Sequence, residues 1–363
     1  MKYLRGYLVA AVIAAITWAL TQFAAAHTQL MDMFYPYMTR LVQTGLAQWS
    51  SGVQVCLWQV LLLLGIGALL VSVALMVIFR WKPVQWFGWV LTCVSVVALL
   101  NVGLYSLNAY AGSIADDVRI QDSDYSITAL EDAALYYMDR TNSIASQAAS
   151  EKGDFAQLAQ QAAEGFQILT YEGLYPVFAG SSLPVKELGW SGIYNLLGVT
   201  GKTVGLTGEA AVNPNVPAAG LPFAMCREMA CRMSIVKDSD ADFAAYLACD
   251  ANSNLYFQYS GYLMAYRHCY NALAATNSSA GRAAAAKLKS GLSSIAQKDL
   301  DAYNDFLGSR GDDVSDDTVK LLVNWHIETV VLPSQAENND QVVLFDPLDE
   351  SDDRLSGLIH PTE

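Results

Sequence analysis

One short stretch has the residue spacing of hydrolytic chemistry without its full equipment. Within LPFAMCREMACRMSIVKDSDADF (Leu221–Phe243), Glu228 lies between Arg227 and Cys231, which are four residues apart and so share one face of a helix. Zinc proteases place two His at that spacing with a Glu between them. The metal holds a water in its open position, and the Glu takes the proton from that water as general base. Cys231 offers a ligand as thiolate, and Asp240, nine residues on, offers one as carboxylate. Arg227 offers none, because a guanidinium carries a fixed charge and has no lone pair to give. On pattern alone, 221–243 is a helical hairpin in which Arg227 pairs with Glu228 or Asp240.

The elements around this stretch are mainly helical. Pro222 sits where a helix can begin, since its missing N–H would be unbonded there. The spacing of apolar residues predicts helices over 126–150, 154–169, 241–251, 256–274, 281–309 and 314–331, and one short helix over 187–197. Gly198–Asn213, rich in Gly with Thr and Val near alternation, predicts two short strands about a turn. Tyr259, Tyr262, Tyr266 and Tyr270 recur every three or four residues, the mark of a helix face turned to a core. From Pro333 the chain is polar and acidic, and an unstructured tail is expected over 346–363, which includes His360.

The first 111 residues differ in kind from the rest. Gly6–Met31, Leu41–Phe79 and Pro83–Ala115 contain no Asp, Glu, Lys or Arg, and each exceeds the roughly 20 apolar residues that cross a bilayer. Membrane spans are expected near 7–26, 54–79 and 86–108. Lys2 and Arg5 before the first, and Arg80 and Lys82 between the second and third, place those ends in the cytoplasm and everything after about residue 110 outside. The small residues Ala24, Ala25 and Ala26 resemble a signal cleavage site, but an uncleaved anchor is the favoured reading. Between the first two spans, Met33, Tyr37, Leu41 and Leu46 predict a helix over about 30–50, lying at the membrane interface or against the exterior domain.

The remainder holds 16 Lys and Arg against 34 Asp and Glu, which excludes nucleic acid as a partner and excludes adhesion to anionic lipid through a basic patch. Six Cys show no CxxC pair and hence no zinc ribbon or thioredoxin-like site. Cys56 and Cys93 belong to the spans. Cys226, Cys231, Cys249 and Cys269 are exterior, and one disulfide among them is open.

Between residues 198 and 270 the chain resembles the bacterial domain-of-unknown-function family 3810, membrane-anchored proteins related to zinc metalloproteases. The resemblance rests on LTGEAAVN at Leu206–Asn213, LPFAMCREMAC at Leu221–Cys231, DSDADFAAYLAC at Asp238–Cys249 and FQYSGYLMAY at Phe257–Tyr266, in order and with matching gaps. The FYPYMTRL stretch (Phe34–Leu41) and the three-span start also fit. The family's motif is H-E-x-A-H-Q. Its first His corresponds to Arg227, its Glu to Glu228, its second His to Cys231, its Gln to Arg232, and a later acidic ligand to Asp240. The resemblance therefore implies a zincin-like helical scaffold whose metal site is degenerate at Arg227, Cys231 and Asp240, with Glu228 a vestigial general base and no cofactor, zinc being the cofactor of the related proteins.

The expected architecture is a membrane domain over 1–111, an extracytoplasmic, mostly helical zincin-like domain with a small hairpin or sheet over 112–345, and the acidic tail. The expected function is that of a pseudo-metalloprotease in the cell membrane that binds a peptide or an envelope protein. Two other readings stand beside it: an active zinc peptidase using Cys231, Asp240 and a distant His (His268 or His326) with Glu228 as base, and a structural envelope protein without a ligand.

Overall fold

The computed structural model describes residues 4–173, 175–180, 182–276, 278–308 and 315–335. The tail expected over 346–363 lies outside them. Three 22-residue helices are long and apolar enough to cross a membrane: α1 (Arg5–Ala26), and, after α2 (Thr28–Ser51), α3 (Leu57–Ile78) and α4 (Pro83–Leu104). At 1.5 Å per residue each is about 33 Å long, matching a hydrocarbon core of about 30 Å. α1 and α4 pack closely because Gly6 and Gly88 meet there: a Cβ on Gly6 would stand 2.5 Å from the Gly88 carbonyl carbon. Thr92 Oγ1 donates to Gly6 O across the contact at 2.8 Å.

α2 is the helix expected over 30–50, and its two faces differ. One face is buried: Met31 packs with Ala24 of α1 and with Leu107, while Thr39, Gln43, Ala47 and Ser50 meet segments that follow α4. Thr39 Oγ1 donates to Ser234 Oγ at 3.0 Å, and Gln43 Nε2 bridges Leu104 O and Gly205 O at 3.1 and 2.9 Å. The other face leaves Met33, Phe34, Tyr37, Met38, Leu41 and Trp49 exposed, which suits a helix lying along a bilayer surface.

After α4 the chain continues with a one-turn α5 (Ile114–Asp117), α6 (Ile127–Ala148) and α7 (Phe155–Tyr171). Ser126 caps α6, and Asp154 with Gln157 forms a capping box on α7. Then come β1 (Lys186–Glu187), α8 (Ser191–Leu196), β2 (Gly201–Val204) and β3 (Glu209–Val212). The sheet order is β1-β3-β2, with β1 parallel and β2 antiparallel to β3, so β2 is an edge strand. The single short helix expected over 187–197 is divided: β1 takes Lys186 and Glu187, and helix begins only after Trp190, whose φ is +56°.

Six further helices follow: α9 (Leu221–Arg232), α10 (Asp238–Asp250), α11 (Leu255–Ala275), α12 (Ser279–Gly291), α13 (Ser294–Leu307) and α14 (Asp316–His326). The helical stretch expected over 281–309 is two helices, because Leu292 is extended and Ser293 caps the second by accepting from Ala296 N. α11 is central, packed on α6, α9 and α10. The tyrosine stripe is core as expected: Tyr259, Tyr262 and Tyr266 are buried, with Tyr270 at its margin. All six Cys are free thiols.

α7 and α10 approach closely at a glycine: a Cβ on Gly165 would stand 1.8 Å from Ala248 O. Gly165→Ala is expected to lower stability by at least about 2 kcal/mol. Gly45→Ala, on α2 with nothing within 4 Å, is expected to raise it by about 0.5–1 kcal/mol. The unfolding midpoints of the two full-length variants in detergent, compared with the parent, check both signs.

Candidate functional site

α9 and α10 form the hairpin read from the sequence, and the side chains between them converge on Arg227. Its Nε donates to Asp242 Oδ1 at 2.6 Å, one terminal nitrogen to Asp238 Oδ1 at 2.5 Å, and the other to Glu228 Oε1 at 3.3 Å. Asp238 and Asp242 share a face of α10 because they are four residues apart. Asp238 also lies in the first turn, where the helix dipole favours an anion. Burial lowers the Arg227 pKa, but the surrounding carboxylates of Asp242, Glu228 and Asp238 outweigh it and hold the guanidinium well above its ordinary value.

Glu228 is only 2 % exposed. Its second carboxylate oxygen accepts from Thr203 Oγ1 on β2 at 2.7 Å. Burial raises its pKa, opposed by Arg227 and by the Thr203 hydrogen bond. The close approach of β2 to α9 needs glycine at 201, where a Cβ would meet Glu228 Cγ at 2.5 Å and Ala211 O at 2.9 Å. Cys231, one turn on from Arg227, is buried and in hydrogen-bond contact with Tyr105, and burial pushes its thiol up to about 12, so it stays neutral.

These groups line a cleft of about 680 Å³. β2 and Gly198–Thr200 form one wall, α9 and α10 the floor, and His268, Arg267 and Tyr303 the far side. His268 Nε2 is 3.9 Å from Asp242 Oδ2, and burial, only partly opposed by Asp242, lowers its pKa to about 4. Arg267 donates to Asn304 Oδ1 at 2.8 Å and lies 5.7 Å over the Tyr303 ring.

Arg227, Glu228 and Cys231 come together as their spacing implies, but Asp240 does not join them. It lies two residues from either partner of Arg227 and so points to the other side of α10, where Ser113 Oγ donates to it at 3.4 Å and Lys237 is nearby. Asp238 is the acidic residue on the Arg227 face, and the i, i+4 pair within DSDAD was the signal for it. His268 reaches the cleft. His326 does not: it lies on α14 with its ring 4.8 Å from that of Tyr136. Thr203 and Tyr105 carried no sequence signal, since their roles depend on chain segments brought from far away. Among the described residues, no three His, Cys, Asp or Glu side chains are grouped so as to hold a metal ion.

A family model described as a protein of unknown function, DUF3810, matches residues 31–324. The chain belongs to the DUF3810 family. That match runs from α2 into α14, so this DUF3810 member carries α3, α4, the sheet and the whole cleft within the family region. No curated protein and no solved structure matches the chain.

Two measurements test the electrostatics. Arg227→Gln leaves Glu228 buried without its cation and is expected to cost about 3 kcal/mol, and adding Glu228→Gln should recover part of that loss. Asp240 has its pKa raised to about 6 by burial, with Lys237 opposing. Because this is above its value in the unfolded chain, its support for the fold is complete below about pH 4 and is lost as the pH rises through about 6. Asp240→Asn should therefore stabilise the protein at pH 7, by up to about 3 kcal/mol, and flatten the pH dependence of unfolding between those values.

Proposed function

We propose that this protein is a membrane-anchored, extracytoplasmic pseudo-metalloprotease, its zinc site replaced by an internal cation and its cleft kept for binding a peptide or an envelope protein. The observation that carries this reading is the Arg227 guanidinium set among Glu228, Asp238 and Asp242. In the resemblance to zincin-like proteins, Arg227 stands at the first ligand position and Cys231 at the second, around Glu228. The guanidinium supplies the positive charge that a divalent metal would otherwise supply to these carboxylates, and it has no lone pair with which to hold one. The residues present do not fit a catalytic zinc. Glu228, bonded to Arg227 and Thr203, is occupied as an ion-pair partner rather than aimed at a water.

The geometry that favours binding is the edge strand. β2 has β3 on one side only, and Gly201, Lys202 and Thr203 face the cleft. An extended peptide can add to such an edge through its main chain, with pockets selecting alternate side chains, and this needs no metal. The exterior placement follows from Lys2, Arg5, Arg80 and Lys82 at the ends that stay cytoplasmic.

Metal content by elemental mass spectrometry tests the reading on the full-length protein purified without chelator. The parent is expected to carry no stoichiometric zinc, while Arg227→His with Cys231→His is expected to gain about one zinc per chain. Stoichiometric zinc in the parent, abolished by Cys231→Ser, would overturn the inactive reading and leave a peptidase with an altered ligand set.

A further inference from the structure

The first part of the loop between β1 and β2, Leu188–Leu197, has no place in the chemistry above, and among the described residues after α4 it gathers the most exposed large apolar side chains. From Leu188 to Gly201 there is no charged residue, in a domain otherwise rich in Asp and Glu. Within it, Leu196 is 89 % exposed, Ile193 60 % and Leu197 59 %, and Trp190 is also exposed. Four large apolar side chains on eight consecutive residues, all turned outward, would be an association hazard if water were their surroundings.

Their height relative to the bilayer is fixed by the chain itself. Gly189, next to Trp190, is held by the side chain of Gln59 at both backbone groups: Gln59 Nε2 donates to Gly189 O at 2.9 Å, and Gly189 N donates to Gln59 Oε1 at 3.0 Å. Gln59 is in the first turn of α3. Tyr194 packs with Trp58, also in that turn, onto Cys56, Leu188 and Ala211. The N–H groups of Leu57 and Trp58 are in turn bonded to Glu209 on β3, at 2.7 and 2.9 Å. α8 is thus tied within about one helical turn, some 5 Å, of the point where α3 begins its 22 apolar residues. Trp190 takes the left-handed conformation, rare for a bulky side chain and a local strain that the surrounding ties maintain.

We propose that α8, with Trp190, Ile193, Leu196 and Leu197, is a membrane-dipping element whose partner is the lipid bilayer, at the headgroup and upper acyl level beside α3. The absence of charge makes the attachment one of apolar burial rather than attraction to anionic lipid, and Trp at this level matches the amphipathic preference of its ring for the interface. The proposal does not depend on whether the cleft binds or cleaves.

A nitroxide at Leu196→Cys tests it, in the full-length protein with Cys93→Ser, reconstituted into nanodiscs of phosphatidylethanolamine and phosphatidylglycerol. A label at Lys289→Cys, exposed on α12, is the aqueous control. Relative to that control, the Leu196 label is expected to lose access to a water-soluble nickel reagent and to gain access to oxygen, which concentrates in the acyl region. A Leu196 label as open to nickel as Lys289 would place α8 in water and overturn the proposal. A label shielded from both reagents would show a protein surface, a second copy or another partner, covering the loop, and would overturn it equally.

Discussion

A buried carboxylate needs a cation or a proton, and Glu228 has been given a cation that cannot leave. Desolvating a carboxylate at the junction of a helix and a strand is unfavourable by several kcal/mol unless its charge is matched. Arg227, adjacent in sequence, supplies the match and spreads its remaining donors to Asp238 and Asp242. This one guanidinium therefore ties α9 to α10 and, through Glu228 and Thr203, is linked to β2. Where a metal would be exchangeable and would respond to supply, an arginine is covalent and permanent. The charge that Glu228 needs is then built into the chain and does not depend on a bound ion.

Much of the helical framework was legible because it rests on local rules: three uncharged runs of bilayer length, Ser and Asp caps, Pro222 at a helix start, and apolar spacing near 3.6. The β2–β3 hairpin was legible from Gly and near-alternating β-branched residues. What failed to show depended on direction or on distance along the chain. Asp240 was the acidic residue singled out, yet a two-residue offset on α10 turns it about 200° away from its neighbours' face. Tyr105 reaches Cys231 across more than a hundred residues. The run over 187–197 read as one helix because its apolar residues are helix-spaced, but backbone pairing with β3 captured Lys186 and Glu187 first, and the positive φ of Trp190 delayed the helix.

The long apolar helices and the part of the chain that follows them share structure along a seam. Glu209 on β3 binds the first N–H groups of α3 together with Lys186 Nζ at 2.6 Å, Gln43 on α2 joins the end of α4 to Gly205, and Tyr105, just past α4, fills the space that glycine leaves at 205. The boundary near residue 111 is a change of composition that the packing does not respect.

Tyr105 gives this seam its sharpest consequence. It is at once the residue that ends α4, a helix long and apolar enough to cross a membrane, and a wall of the cleft. A chain severed after it would not be a smaller version of the same fold. It would have a hole beside Cys231, a notch over Gly205 and a carboxylate at Glu209 stripped of its helix end. The cleft therefore takes part of its shape from the way a bilayer-length helix ends, and a change at the close of α4 would be felt at Cys231 as directly as a change on α9.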